Sequence, residues 1–122
     1  MQGAISQEEH QVWLAGVLAS KESLFYIAED SDHPVGCVRA QKGELATELT
    51  WELSWTIAPN ARGKGYGKAM VVKFVNDLLA KVPVTACIEE GNIASESIAK
   101  ALGLSLQGPE TPYNSRRFMI WR

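Results

Sequence analysis

The clearest pattern of apolar and polar positions lies over residues 51–58. There Trp51, Leu53, Trp55 and Ile57 interleave with Glu52, Ser54, Thr56 and Ala58. A period of two in residues that suit a pleated surface predicts a half-buried strand, which Pro59 ends. After a glycine-rich turn the period changes. Val71, Phe74, Val75 and Leu78 recur at helical spacing, which predicts a helix over 67–80. Pro83 restarts the chain, and residues 84–89 read as a second strand. A strand, a helix and a strand in that order form a crossover, so the two strands are expected to lie parallel.

Upstream, residues 24–29 predict a strand, 30–34 a turn and 35–40 its antiparallel return. Lys42, Gly43 and Glu44 mark a further turn, giving a three-strand meander that ends at the glycine-rich stretch. Ser6-Gln7-Glu8-Glu9 is a capping box, and Trp13, Leu14, Val17 and Leu18 follow it. This predicts a helix over 7–19 with His10 and Trp13 toward its buried side. Downstream, Asn92 or Ser95 caps a helix that stops at Gly103, and residues 104–107 and 117–121 form a closing antiparallel pair around a loop over 108–114. The four tryptophans read mainly as core.

At 122 residues, with 46% hydrophobic and 21% charged, the chain is expected to be one soluble domain, residues 1–122, with a single core. The apolar run over 12–19 is too short to span a bilayer and lacks a basic segment before it, which predicts a cytoplasmic protein without membrane attachment. A net charge of −2 argues against a nucleic-acid partner, which calls for a broad basic face. Cys37 and Cys87 fall on separate predicted strands without metal-ligand spacing, so both read as buried free thiols and no metal site is expected.

The candidate chemistry is concentrated where strand meets helix, in Arg62-Gly63-Lys64-Gly65-Tyr66-Gly67-Lys68. Backbone N–H groups at a helix start lack internal partners and the dipole there is positive, so the turn is an anion site that Arg62, Lys64 and Lys68 reinforce. Lys73 belongs either to this cluster or to a solvated helix face. The spacing excludes a Walker loop, because three residues rather than four separate Gly63 from Gly67-Lys68 and Ala69 follows. It also excludes the dinucleotide fingerprint, which would need glycine at Lys68.

Arg62-x-x-Gly65-x-Gly67 resembles the acetyl-CoA diphosphate loop of the GNAT family of N-acetyltransferases. The family's second motif is matched by Asn92-Ile93-Ala94-Ser95 and Leu102-Gly103-Leu104, and the likeness runs from Leu24 to the C-terminus. It implies an α/β (α+β) fold: a mixed, mostly antiparallel sheet flanked by helices, with one parallel pair splayed around the cofactor site. The family begins with a further strand and helix, so the N-terminal strand is expected to be missing or reduced to residues 1–5.

The resemblance further implies acetyl-CoA as co-substrate and transfer of its acetyl group to a primary amine by direct attack in a ternary complex. Cofactor contacts map to Thr56, Ile57 and Ala58, to Arg62, Gly63, Lys64, Gly65, Tyr66, Gly67 and Lys68, and to Asn92 and Ser95, with a backbone N–H near Thr56 facing the acetyl oxygen. Glu52 is the candidate general base and Glu89, with Glu90, the fallback; a rim carboxylate paired with a surface cation is the plainer reading of Glu52. The family's acid tyrosine is replaced by Ala99, which leaves water, Tyr113 or Ser95 to protonate sulfur. Scattered matches in the N-terminal half resemble acetyltransferases of nucleotide-linked amino sugars. The expected partner is a small-molecule amine, with a homodimer left open. A non-catalytic CoA-binding module and a peptide or protein acetyltransferase are the alternatives.

Overall fold

A computed structural model describes residues 12–19, 22–45, 48–110 and 116–122. Among the described residues seven strands form one sheet: β1 (Val12–Ala19), β2 (Ser23–Asp30), β3 (His33–Leu45), β4 (Glu48–Ile57), β5 (Val84–Glu89), β6 (Leu106–Pro109) and β7 (Phe118–Trp121). Their spatial order is β1-β2-β3-β4-β5-β7-β6. Helix α1 (Tyr66–Leu78) connects β4 to β5, and α2 (Ile93–Ala101) follows β5. A 3-10 turn over Pro59–Ala61 leads out of β4.

The meander, the crossover and the closing pair all form as the pattern predicts. β2 and β3 are joined through Ser31 and Asp32, both at positive φ (54° and 67°), which is the two-residue hairpin geometry that matches strand twist. β4 and β5 run parallel, and every other adjacent pair is antiparallel. α1 buries Met70, Val71 and Phe74 completely. The Phe74 ring meets Tyr26 of β2 edge-on at 5.6 Å, and burying such a ring contributes about 1.5–3 kcal/mol. α2 packs beside α1 on the same face, with Ile98 joining the α1 core and Ala99 joining Ala86, Ile88 and Trp121. The opposite face of β4 presents Glu52, Ser54 and Thr56 to solvent.

Three expectations are corrected. Residues 12–19, assigned to a helix, are strand β1; residues 7–11 of that helix, His10, and residues 1–5, where a reduced N-terminal strand was expected, lie outside the described residues. β1 pairs with β2 from Val12↔Asp30 to Ala19↔Leu24, with a register shift between Gly16 and Leu18. An apolar run of eight residues has no period that separates helix from strand, and the free edge of β2 offered hydrogen-bonding groups that an antiparallel neighbour satisfies. Trp13 faces outward and is 64% exposed while Val12 is buried, the alternation of a strand. The turn placed at Lys42, Gly43 and Glu44 is continuous β3, paired with Trp51, Thr50 and Leu49. Cys37 and Cys87 are free thiols, but Cys87 is exposed, because it points away from the helices while its neighbours Ala86 and Ile88 point toward them.

Candidate functional site

Pairing between β4 and β5 is short. Trp51↔Val84, Glu52↔Thr85 and Leu53↔Ala86 are matched, after which β5 continues only with β7, as far as Glu89↔Phe118. Beyond Leu53 the two parallel strands part. β4 and β3 keep an unbroken ladder from Leu45↔Glu48 to Gly36↔Ile57, so backbone direction alternates along β4 without a slip. The Ala58 N–H donates to the Val35 carbonyl on β3 at 2.8 Å, and the Trp51 N–H donates to the Pro83 carbonyl on the β5 side at 3.0 Å. Alternation therefore turns the backbone N–H and C=O of Trp55 and Ile57 into the gap, and turns those of Thr56 toward β3. The backbone N–H groups facing the gap thus belong to Trp55 and Ile57, on either side of Thr56.

The glycine-rich loop closes one end of this gap. Gly65 sits in the left-handed region at φ 84° as the N-cap of α1, and no side chain caps the helix. A residue with a Cβ would be strained at Gly65. A Cβ at Gly67 would lie 2.9 Å from Ile98 Cδ1 and 3.5 Å from Ile57 Cδ1, so glycine there lets α1 close on α2 and on the end of β4. The uncapped first turn of α1 leaves its N–H groups and positive dipole end for an anion. Arg62 folds back, its Nε donating to the Ile57 carbonyl at 3.1 Å, which holds the guanidinium at the mouth of the gap.

Across the gap, the Asn92 side chain caps α2 by accepting from the Ser95 N–H at 3.1 Å, and Trp55 Nε1 donates to Ser95 Oγ at 3.1 Å. Trp55, read from sequence as core, is half-buried and lines the site; only its spacing on β4 could have placed it there. A cavity of about 570 Å³ runs along these elements, from Arg62, Gly63, Gly65, Gly67 and Lys68 past Thr56 and Ile57 to Asn92 and Ser95. It meets a smaller cavity of about 140 Å³ between the parted strands, which reaches Ser54, Cys87 and Glu89. Ala94, inside the second motif, and Ser97 and Ile98, just beyond it, also line the larger cavity; none of the three was singled out as a site residue from the sequence.

Of the carboxylates singled out from the sequence, Glu89 lines the smaller cavity and Glu52 lines neither. Ala58, Lys64 and Tyr66 do not line the cavity. The Tyr66 hydroxyl instead donates to Asp30 Oδ2 at 2.6 Å, and that hydrogen bond, with burial and the Asp30 charge, raises the phenol above its ordinary value. Lys73 pairs with Asp77 at 3.1 Å one helical turn on, which makes it part of the solvated face. Glu52 stands on the outer face of β4 opposite Thr85, one residue before the strands part. Its charge helps raise the Cys87 thiol, after burial and ahead of Glu110. Glu89 is gripped by Arg116, whose Nε and Nη2 donate at 2.9 and 2.6 Å, and these bonds hold its carboxyl below the usual range. Glu90 pairs with Arg117 at 3.4 Å. Tyr113 lies outside the described residues. Among the described residues no helix is long and apolar enough to cross a membrane.

The sheet is mixed and opens at its parallel pair, with an uncapped helix and a glycine loop at one end of the gap and carboxylates at the other. Residues 1–105 match the family model described as acetyltransferase (GNAT) domain, and the chain belongs to that family. The fold is similar to the spermidine/spermine N-acetyltransferase SpeG from Vibrio cholerae (TM-score 0.67, 15% identity, 84% of this chain and 66% of that one). It is also similar to the ribosomal-protein-alanine N-acetyltransferase from Brucella melitensis (TM-score 0.69, 21% identity, 81% of this chain and 67% of that one). A GNAT-family acetyltransferase from Streptococcus pneumoniae gives a TM-score of 0.69 at 12% identity, over 84% of this chain and 66% of that one. The chain thus spans about two thirds of the length of these structures. No curated protein matches the sequence.

Proposed function

We propose that this chain is an N-acetyltransferase that moves the acetyl group of acetyl-CoA to the primary amine of a small molecule by direct attack in a ternary complex. The observation that carries the reading is the unpaired edge of β4, where Trp55 and Ile57 turn backbone groups into a gap that ends at the uncapped start of α1. In this reading the first turn of α1, with Arg62 and Lys68, holds the diphosphate. The β4 edge takes the amides of the pantetheine arm as an added strand, and the Trp55 N–H donates to the thioester oxygen as it gains negative charge. Glu52 takes the proton from the acceptor ammonium, directly or through water. Glu89 is the weaker candidate because Arg116 stabilises its ionised form and so lowers its basicity.

The acceptors named for the similar structures, spermidine/spermine and a ribosomal-protein alanine, share a primary amine and little else. A nucleotide-linked amino sugar joins them as an acceptor to assay, on the N-terminal sequence likeness. The rival reading, a CoA-binding module without catalysis, draws on the fully buried Ala99, which supplies no acid where the family has a tyrosine. Isothermal titration with CoA, followed by thiol release from acetyl-CoA across polyamines, amino sugars and peptides, separates the two. Turnover above the no-amine rate supports the transferase; tight CoA binding without turnover on any amine overturns it, and absence of CoA binding overturns both.

A further inference from the structure

We infer that Ser95 supplies the hydrogen bond that stabilises the departing thiolate, an inference that rests on the acetyl-transfer reading above. Trp55, Asn92 and Ser95 line both the larger cavity and the gap between the parted strands. A thioester whose pantetheine arm lies in the first and whose acetyl carbon is approached from the second must break its C–S bond beside these three residues. Two hydrogen bonds are made within this group, and they leave the Ser95 hydroxyl and the Asn92 amide as its side-chain donors. The Trp55 indole N–H is given to Ser95 Oγ, and Asn92 Oδ1 receives the Ser95 backbone N–H. Ser95 Oγ is an acceptor in one of these bonds, and its own proton goes to no other described residue. A hydroxyl that accepts from a fixed indole directs its O–H away from that donor, and Ser95 lines both the larger cavity and the space between the parted strands.

The surroundings suit a thiolate. Ser95 is the third residue of α2, a helix of nine residues, and the positive end of its dipole favours a negative sulfur there. Cys87 lines only the smaller cavity. Trp55 also links the two halves of the reaction, because its backbone N–H faces the thioester oxygen while its side chain fixes the serine. The neutral amine, whose ammonium proton Glu52 has passed on to water, forms its bond to the acetyl carbon, and the excess proton on nitrogen then goes to Glu52. The C–S bond then breaks with its electron pair on sulfur. Ser95 keeps its proton and donates only the hydrogen bond, and the thiolate is neutralised by water as the product leaves.

The test is a pH titration of the thiolate absorbance of bound CoA in the wild type, Ser95→Ala, Ser95→Thr and Asn92→Ser, the last keeping a capping oxygen while removing the amide donors. The expected result is a bound-thiol pKa about one unit higher in Ser95→Ala than in the wild type, near wild type in Ser95→Thr, and little changed in Asn92→Ser. Turnover of Ser95→Ala should fall about ten- to a hundredfold, as a lost hydrogen bond to a charged group requires, with CoA affinity within about threefold. A thiol pKa unmoved by Ser95→Ala, or moved by Asn92→Ser alone, overturns the assignment. These outcomes do not depend on acceptor turnover: a wild type that binds CoA but transfers to no amine removes the acetyl-transfer reading, while the thiol titration still decides whether Ser95 donates to sulfur.

Discussion

The Tyr66 hydroxyl reaches 36 positions back along the chain to donate a 2.6 Å hydrogen bond to Asp30. This ties the first residue of α1, and with it the adjoining glycine loop, to the β2–β3 hairpin. The pair lies outside the cavity, so its role is to hold the loop in place.

Tyr66→Phe should therefore cost about 1 kcal/mol, discounted from the value of a hydrogen bond to a charged group because the pair is partly exposed, or about 3–6 °C in Tm. Because Asp30 raises the phenol's pKa in the folded state, the pair's stabilisation is fully present below the unfolded tyrosine pKa of about 10 and fades as pH rises through the folded value. Thermal melts at neutral pH and above pH 10 check this: the gap between wild type and Tyr66→Phe should narrow at high pH, and a constant gap would count against the pair.

Glu52→Gln should lower turnover by at least about tenfold near neutral pH with CoA affinity nearly unchanged, because the ligand is held by the β4 edge and the Arg62 loop. The defect should shrink as pH approaches the amine's own pKa, where free amine needs no base. A loss that is uniform across pH, read from kcat profiles of the two proteins, would make Glu52 structural.

Glu89→Gln should leave turnover within about threefold of wild type, since Arg116 already keeps this carboxylate ionised and weakly basic. Its folded pKa is depressed, so whatever the pair adds to stability is present above the ordinary carboxylate range and is lost as pH falls through the folded value. Steady-state kinetics of Glu89→Gln beside Glu52→Gln decide which carboxylate is the base.

Gly65→Val should abolish or weaken CoA binding by more than about tenfold, with a native far-UV spectrum and a cost of about 1–2 kcal/mol for forcing a side chain into the left-handed region. Gly67→Val should act differently. Its Cβ would meet Ile98 at 2.9 Å, so overpacking between α1 and α2 should cost about 1–3 kcal/mol as well as affinity. Calorimetric titration and melting of both variants distinguish a ligand-facing glycine from a packing one.

What the sequence determined by itself was local. The period of β4, the proline that ends it, the glycines that open α1 and the asparagine that caps α2 are each settled by neighbours within a few residues, and Gly63, Gly65, Gly67 and Asn92 line the larger cavity. Only the tertiary structure decided what depends on a partner distant in the chain. Residues 12–19 became a strand because β2 had an edge to satisfy. Trp55 packs against the core and also lines the site, because β4 and β5 separate after Leu53. The register of β3 against β4, which no local pattern encodes, chose Trp55 and Ile57 over Thr56 to face the gap. Sheet pairing joins hydrogen-bonding groups that every residue carries alike, so side-chain identity says little about which backbone groups are left open.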